Sequence, residues 1–194
     1  MFNHMTADGY FAGADGNLNW IVPDDEVARA GFESIPGCDT MLFGRRTYEV
    51  FEAYWPHALD ESDTAEDPHS PGRRSETVRE MAVWINDTRK VVFSRTRQDF
   101  PWQNSEGVAE LDPRAVERMK REEGGDMMLF GSGSIVAQLA RHGLIDEYLF
   151  AVSPVLLGDG RMMLNGMTAS ARLRLLEARP FGSGVVLLRY APEA

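Results

Sequence analysis

Short apolar runs punctuate the chain at Met41–Phe43, Val91–Phe93, Met127–Phe130 and Tyr148–Val152. Each is too short for a buried helix and predicts a buried strand. Between them, apolar positions recur at the spacing of amphipathic helices. These helices fall over Asp24–Ile35, Thr47–Tyr54 and Ser75–Ile85, after Asp112-Pro113, and over Ser134–Arg141. Asp24 or Asp25 is placed to cap the first, Asp112 with its proline opens the fourth, and Gly143 stops the fifth. Strands alternating with helices need crossover connections, and those build a mostly parallel sheet. The C-terminal pattern differs. Arg172–Leu176 and Val185–Arg189 flank Pro180–Gly184 with no helix between them, which predicts an antiparallel hairpin at the sheet edge. The fold class is α/β with a mixed sheet.

Residues 56–72 carry Asp60, Glu61, Asp63, Glu66 and Asp67, with three prolines and no Lys or Arg. That is the composition of a solvated loop. No repeat or linker interrupts the pattern, so residues 1–194 read as one domain. A chain of this length buries roughly two-thirds of the surface that its unfolded form exposes, enough for a real core. The single cysteine, Cys38, excludes an intramolecular disulfide and reads as a small buried hydrophobe. No apolar stretch approaches the roughly 18 residues of a membrane span, and no leader-like segment precedes the first strand. A soluble cytoplasmic protein is the simple expectation.

The formal charge of −10 argues against nucleic acid or an anionic membrane as the partner. An anionic small molecule would need cations gathered locally. Strand ends supply them. Phe43-Gly44-Arg45-Arg46-Thr47 ends a strand, turns on glycine and starts a helix with two arginines. A helix start presents free N–H groups and the positive end of the dipole, a ready phosphate site. Ser94-Arg95-Thr96 ends the next strand with two hydroxyls and a guanidinium. Phe130-Gly131-Ser132-Gly133-Ser134 ends a third, with small residues that let a phosphate approach the backbone. Ligands in open α/β sheets sit beyond such carboxyl ends. The competing readings are a solvated helix start and ordinary polar turns. The N-terminal loop, from Asp8-Gly9 through Trp20 to Asp25, has the glycine and aromatic content of a ligand cover. Against this, Trp20 reads as core and Asp25 as a helix-start carboxylate. His4, His57, His69 and His142 lack metal-ligand spacing, and no nucleophile or zinc motif is present.

In order, Thr6-Ala-Asp-Gly-Tyr-Phe-Ala-Gly13, Asn17-Leu-Asn-Trp20, Leu42-Phe-Gly-Arg-Arg-Thr-Tyr-Glu49, Lys90-Val-Val-Phe-Ser-Arg-Thr96, Leu129-Phe-Gly-Ser-Gly-Ser134 and Leu144-Ile-Asp-Glu-Tyr148 span most of the chain. Together they resemble the dihydrofolate reductase superfamily, in the branch of the reductase domain of the bifunctional riboflavin-biosynthesis deaminase/reductase. The resemblance implies a three-layer α/β/α sandwich with about eight strands. It implies NADPH, with the 2′-phosphate held by Arg45, Arg46, Thr47, Ser94 and Arg95, between Gly44 and Thr96 at the ends of those segments. The pyrophosphate falls to the turn Phe130, Gly131, Ser132, Gly133 and Ser134. Trp20-Ile-Val-Pro23-Asp-Asp25 places Asp25 on the acidic position of the dihydrofolate reductases. The riboflavin-type enzymes instead share Asp8-Gly9 and a tryptophan matching Trp20, so Asp25 and Asp8 both stand as catalytic candidates. Tyr48, Phe51 and Trp20 are the expected substrate wall.

The activity implied is hydride transfer to a small pterin-like, pyrimidine-like or carbonyl substrate by a homodimer. The alternative is a nucleotide- or pterin-binding module without turnover. Two features depart from the family. Dihydrofolate reductases carry Gly-Gly, often cis, where this chain has Gly131-Ser132. Family members also usually carry more residues ahead of the first strand.

Overall fold

The computed structural model describes residues 1–33, 37–60, 75–165 and 170–193. Strands β1 (Phe2–Thr6) and β2 (Tyr10–Ala12) precede helix α1 (Asp25–Glu33), β3 (Cys38–Gly44) and α2 (Arg45–Tyr54). A 3-10 turn over Trp55–His57 ends that segment. Then come α3 (Glu76–Asp87), β4 (Arg89–Phe93), β5 (Ser105–Val108), α4 (Pro113–Met119), β6 (Asp126–Leu129) and α5 (Gly133–Arg141). Strands β7 (Tyr148–Ser153), β8 (Arg161–Met162), β9 (Leu173–Pro180) and β10 (Val186–Pro192) finish the fold. The five expected helices and the C-terminal hairpin are present. Most of the acidic stretch read as a loop, residues 61–72, lies outside the described residues, as does the end of the first expected helix.

Strands β5-β4-β3-β6 form a parallel ladder and β1-β7-β10-β9 a mixed one. A single parallel bridge, Phe2 to Phe130, joins them across β6 and β1. The result is an eight-stranded mixed sheet in which β10 alone runs antiparallel to its neighbours. Alternation along the strands fills two cores. Met41, Phe43, Val92, Met128 and Phe130 face α2 and α3. Leu42, Val91, Phe93 and Leu129 face α4 and α5. Helix α1 packs Val27 and Ala30 on Leu149, Ala151 and Leu187, on the same face as α2 and α3. This is the expected α/β/α sandwich.

Sequence reasoning did not anticipate β5, β8 or the buried Lys90. Strand β5 is polar because it is an edge, and β8 is too short to carry a pattern. Lys90 is wholly buried, and its Nζ donates to the carbonyls of Asn86, Thr88 and Gln103 at 2.9, 2.7 and 3.2 Å. Two of these lie at the end of α3, where carbonyls lack helical partners. The ammonium also stacks 4.4 Å from the Trp102 ring. Burial pulls Lys90 down to about 8, against a smaller opposing pull from Asp87. Lys90→Met leaves these carbonyls without their donor and is expected to cost about 2 kcal/mol. That lowers the thermal midpoint by about 5 °C for a chain of this size. The folded pKa lies below the unfolded one, so the unfolded chain holds more proton between about 8 and 10.5. Wild type should therefore gain stability with rising pH across that window relative to Lys90→Met, which denaturation at several pH values would show.

Candidate active site

Strand β1 is staggered. Its first residues lie level with the end of β6, so where β6 turns away into α5, β1 runs on with β7 on one side and an open edge on the other. The slot left between β1 and β3 opens into a cleft. Phe2, Asn3 and His4 form its β1 side, and Phe130, Gly131 and Ser132 its floor. Helix α1 contributes Asp25, Val27, Ala28 and Gly31, with Asp24 just ahead of it. Helix α2 contributes Arg46, Thr47, Val50 and Phe51 opposite, backed by Trp55, Val78 and Met81. Phe11, Leu18, Ile21 and Arg161 close the cover.

The two glycine turns are bound to each other. Ser132 Oγ accepts from the Gly44 N–H at 2.8 Å and donates to Thr47 Oγ1 at 2.7 Å. A Cβ on Gly44 would lie 3.0 Å from that Oγ, so glycine lets the turns meet. Gly131 and Ser132 both adopt left-handed backbone, at φ +51° and +56°. For serine this costs about 1–2 kcal/mol, offset by the two bonds its hydroxyl makes. The Gly131–Ser132 peptide bond is trans, so the turn comes from positive φ instead.

Helix starts divide the molecule. Asp24 caps α1 through Glu26 and Val27 N–H groups at 2.8 and 3.2 Å. Ser75 caps α3 and Asp112 caps α4. Helices α2 and α5 have no side-chain cap and no acid in the first turn. Both start at the paired turns beside the cleft. Their free N–H groups await an acceptor from elsewhere, and an anion fits. On this observation the residues present suit a dinucleotide's phosphates.

The RibD C-terminal domain family matches residues 1–187. The chain belongs to that family. YyaP of Bacillus subtilis, itself uncharacterized, is 28% identical over 189 residues, 96% of this chain and 90% of that protein. A Shewanella protein provisionally assigned to riboflavin biosynthesis superposes with TM-score 0.72 at 16% identity, over 100% of this chain and 97% of the other. RibD of Acinetobacter baumannii gives 0.63 at 18%, over 100% of this chain but 57% of its own. Dihydrofolate reductase of Enterococcus faecalis, complexed with NADP(H), gives 0.60 at 12%, over 100% of this chain and 95% of the other. The fold is dihydrofolate-reductase-like, and family and fold are those of reductases.

Several expected site residues of this RibD-family chain come together, and others do not. Gly44 pairs with Phe93 and Leu42 with Leu129, so the ends of β4, β3 and β6 lie side by side. Ser94 spends its hydroxyl locally, accepting from the Thr96 and Arg97 N–H groups. Arg95 and Thr96 are exposed beyond it. Asp25 and Phe51 line the cleft. Tyr48 does not. It is fully buried against Phe43, Phe100 and Trp102, because each helical step turns a side chain about 100° and Thr47, Val50 and Phe51 take the cleft face. Trp20 is buried outside the lining, while Leu18 and Ile21 on either side contribute to it. Asp8 is also outside. It accepts from Thr6 Oγ1 at 2.6 Å and from Gly158 N–H at 2.8 Å, pinning two loops. These bonds hold its carboxyl below the ordinary range.

Asn3, His4 and Arg161 are cleft residues that sequence reasoning missed. Cys38 is half-buried, and burial pushes its thiol up to about 11, so it stays protonated. Among the described residues no group of His, Cys, Asp and Glu could hold a metal, and no helix is long and apolar enough to cross a membrane.

Proposed function

We propose that this chain is an NADPH-dependent reductase acting on a small, flat heterocyclic or carbonyl substrate. The observation that carries this reading is the pair of uncapped helix starts, latched by Ser132 and Thr47 beside the cleft wall that carries Arg46. The phosphates would take the N–H groups of α2 and α5, with Arg45, Arg46 and Arg95 toward the 2′-phosphate. When bound, NADPH supplies hydride. The protein's part is to bind, orient, exclude water and move a proton.

For the proton, Asp25 is better placed than Asp8. Asp8 is committed to Thr6 and Gly158. Asp24 is committed to its cap; burial opposes its ionisation, but bonds from Ser183 and the Val27 and Glu26 N–H groups hold it below the ordinary range. Asp25 lines the cleft and makes no hydrogen bond or ion pair among the described residues. The substrate side is apolar along Val27, Ala28, Val78 and Met81, which suits a flat ring. Trp55 adds a buried indole N–H with no partner among the described residues, a donor that a ring carbonyl or nitrogen could meet after a small shift.

The test is NADPH oxidation by flavin-free protein across pterins, pyrimidines and carbonyl compounds. At least one class should be reduced. Saturable NADPH binding with no oxidation on any of them would favour the non-catalytic binding module.

A further inference from the structure

We infer that Glu49 sets how strongly the site tells NADPH from NADH, by competing with the 2′-phosphate for Arg45. This rests on the cofactor reading above. Arg45 opens α2, and a long side chain there ordinarily leans back toward the helix start. Its Nη1 lies 2.9 and 3.0 Å from the two carboxylate oxygens of Glu49, whose own side chain leans back over the same turn. The guanidinium is thereby already paired with a carboxylate beside the end of the helix where an anion would bind.

Glu49 is itself held from a second side. Arg97 Nη1 lies 3.9 Å from Glu49 Oε1, and Arg97 Nη2 donates to Glu52 at 2.8 Å. Arg97 cannot follow a ligand easily, because it also donates to the Asp99 carbonyl at 2.7 Å and stacks on Tyr48 and Phe100. Arg45, Glu49, Arg97 and Glu52 thus form a chain of alternating cations and anions between α2 and the segment after β4. Arg46, one residue on, lines the cleft with no ion pair among the described residues. The tandem arginines are therefore not equivalent. Arg46 is free, while Arg45 is tied up by a carboxylate that also repels a phosphate dianion.

Arg45 and Glu49 are each 38% exposed, so the tie is weak enough for a ligand to break. An exposed pair is worth up to about 1 kcal/mol, or about fivefold in a binding constant. Calorimetric titrations of wild type, Glu49→Gln, Arg45→Ala and the double variant with NADPH and NADH test this. Glu49→Gln should tighten NADPH by about fivefold and leave NADH unchanged. In the Arg45→Ala background the same change should do much less, because the contested cation is gone and only the carboxylate's own repulsion of the phosphate is relieved. Thermal midpoints should fall by no more than about 2–4 °C, since the pair that is lost is a surface one.

Glu49→Gln that leaves the NADPH to NADH ratio unchanged, or that weakens NADPH, overturns the inference while the cofactor reading stands. Weakening would make Glu49 an orienting partner instead. If neither wild type nor Glu49→Gln binds either nucleotide, both readings fall. NADPH binding by Glu49→Gln alone would support the inference in its strongest form.

Discussion

Asp25→Asn is expected to lower turnover by about 10²–10⁴-fold, the usual contribution of a positioned acid or base, with NADPH binding unchanged. The expectation follows from what the neighbouring carboxylates are doing. Asp24 caps α1 and Asp8 ties the first loop to Gly158. Each is occupied by donors that favour its charged form. Asp25 stands in the cleft without such partners. Asp8→Asn should therefore act on stability more than on chemistry, since an amide keeps the shape but weakens the bonds from Thr6 and Gly158. Steady-state kinetics on whichever substrate class is reduced would separate the two. Loss of turnover in Asp8→Asn with a normal Asp25→Asn would reverse the assignment.

The joint replacement Arg45→Ala/Arg46→Ala is expected to weaken NADPH by about 100-fold, equivalent to one or two charge-assisted hydrogen bonds. NADH should change little. Most of the loss should come from Arg46, because Arg45 already shares its charge with Glu49. The effect should shrink as salt rises, since the contact is electrostatic and near the surface. Equal losses for the two nucleotides, read by calorimetry, would remove the 2′-phosphate assignment and leave the arginines serving some group common to both.

Much of the scaffold could be read from the chain because its signals are local. Val91–Phe93 and Met127–Phe130 are buried on both faces, so they appear as unbroken apolar runs. Asp112-Pro113 and Ser75 announce helix starts by chemistry that acts within three residues. The uncapped starts of α2 and α5 were legible too, as strand ends followed by glycine with no acid.

What stayed hidden depends on relations between distant segments. The cleft exists because β1 is staggered against β6, and neither strand encodes that stagger. Asn3 and His4 therefore carried no sign of being cleft residues. Tyr48 was expected in the substrate wall through a motif, but the phase of α2 is fixed by what packs beneath it, and Tyr48 fills the core. The pairing of Arg45 with Glu49 has the i, i+4 spacing of a helical ion pair. The spacing is legible in the sequence, but it does not by itself rank a helical ion pair against a phosphate contact for the same arginine. Ser132 in left-handed backbone was not anticipated either, since its strain is balanced by Gly44 and Thr47 across 88 and 85 residues of chain.

The most direct test is titration of flavin-free wild-type protein with NADPH and with NADH. Saturable one-to-one binding of NADPH is expected, tighter than that of NADH, with the difference fading at high salt. No binding of either nucleotide, or NADH bound as tightly as NADPH at low salt, would contradict it.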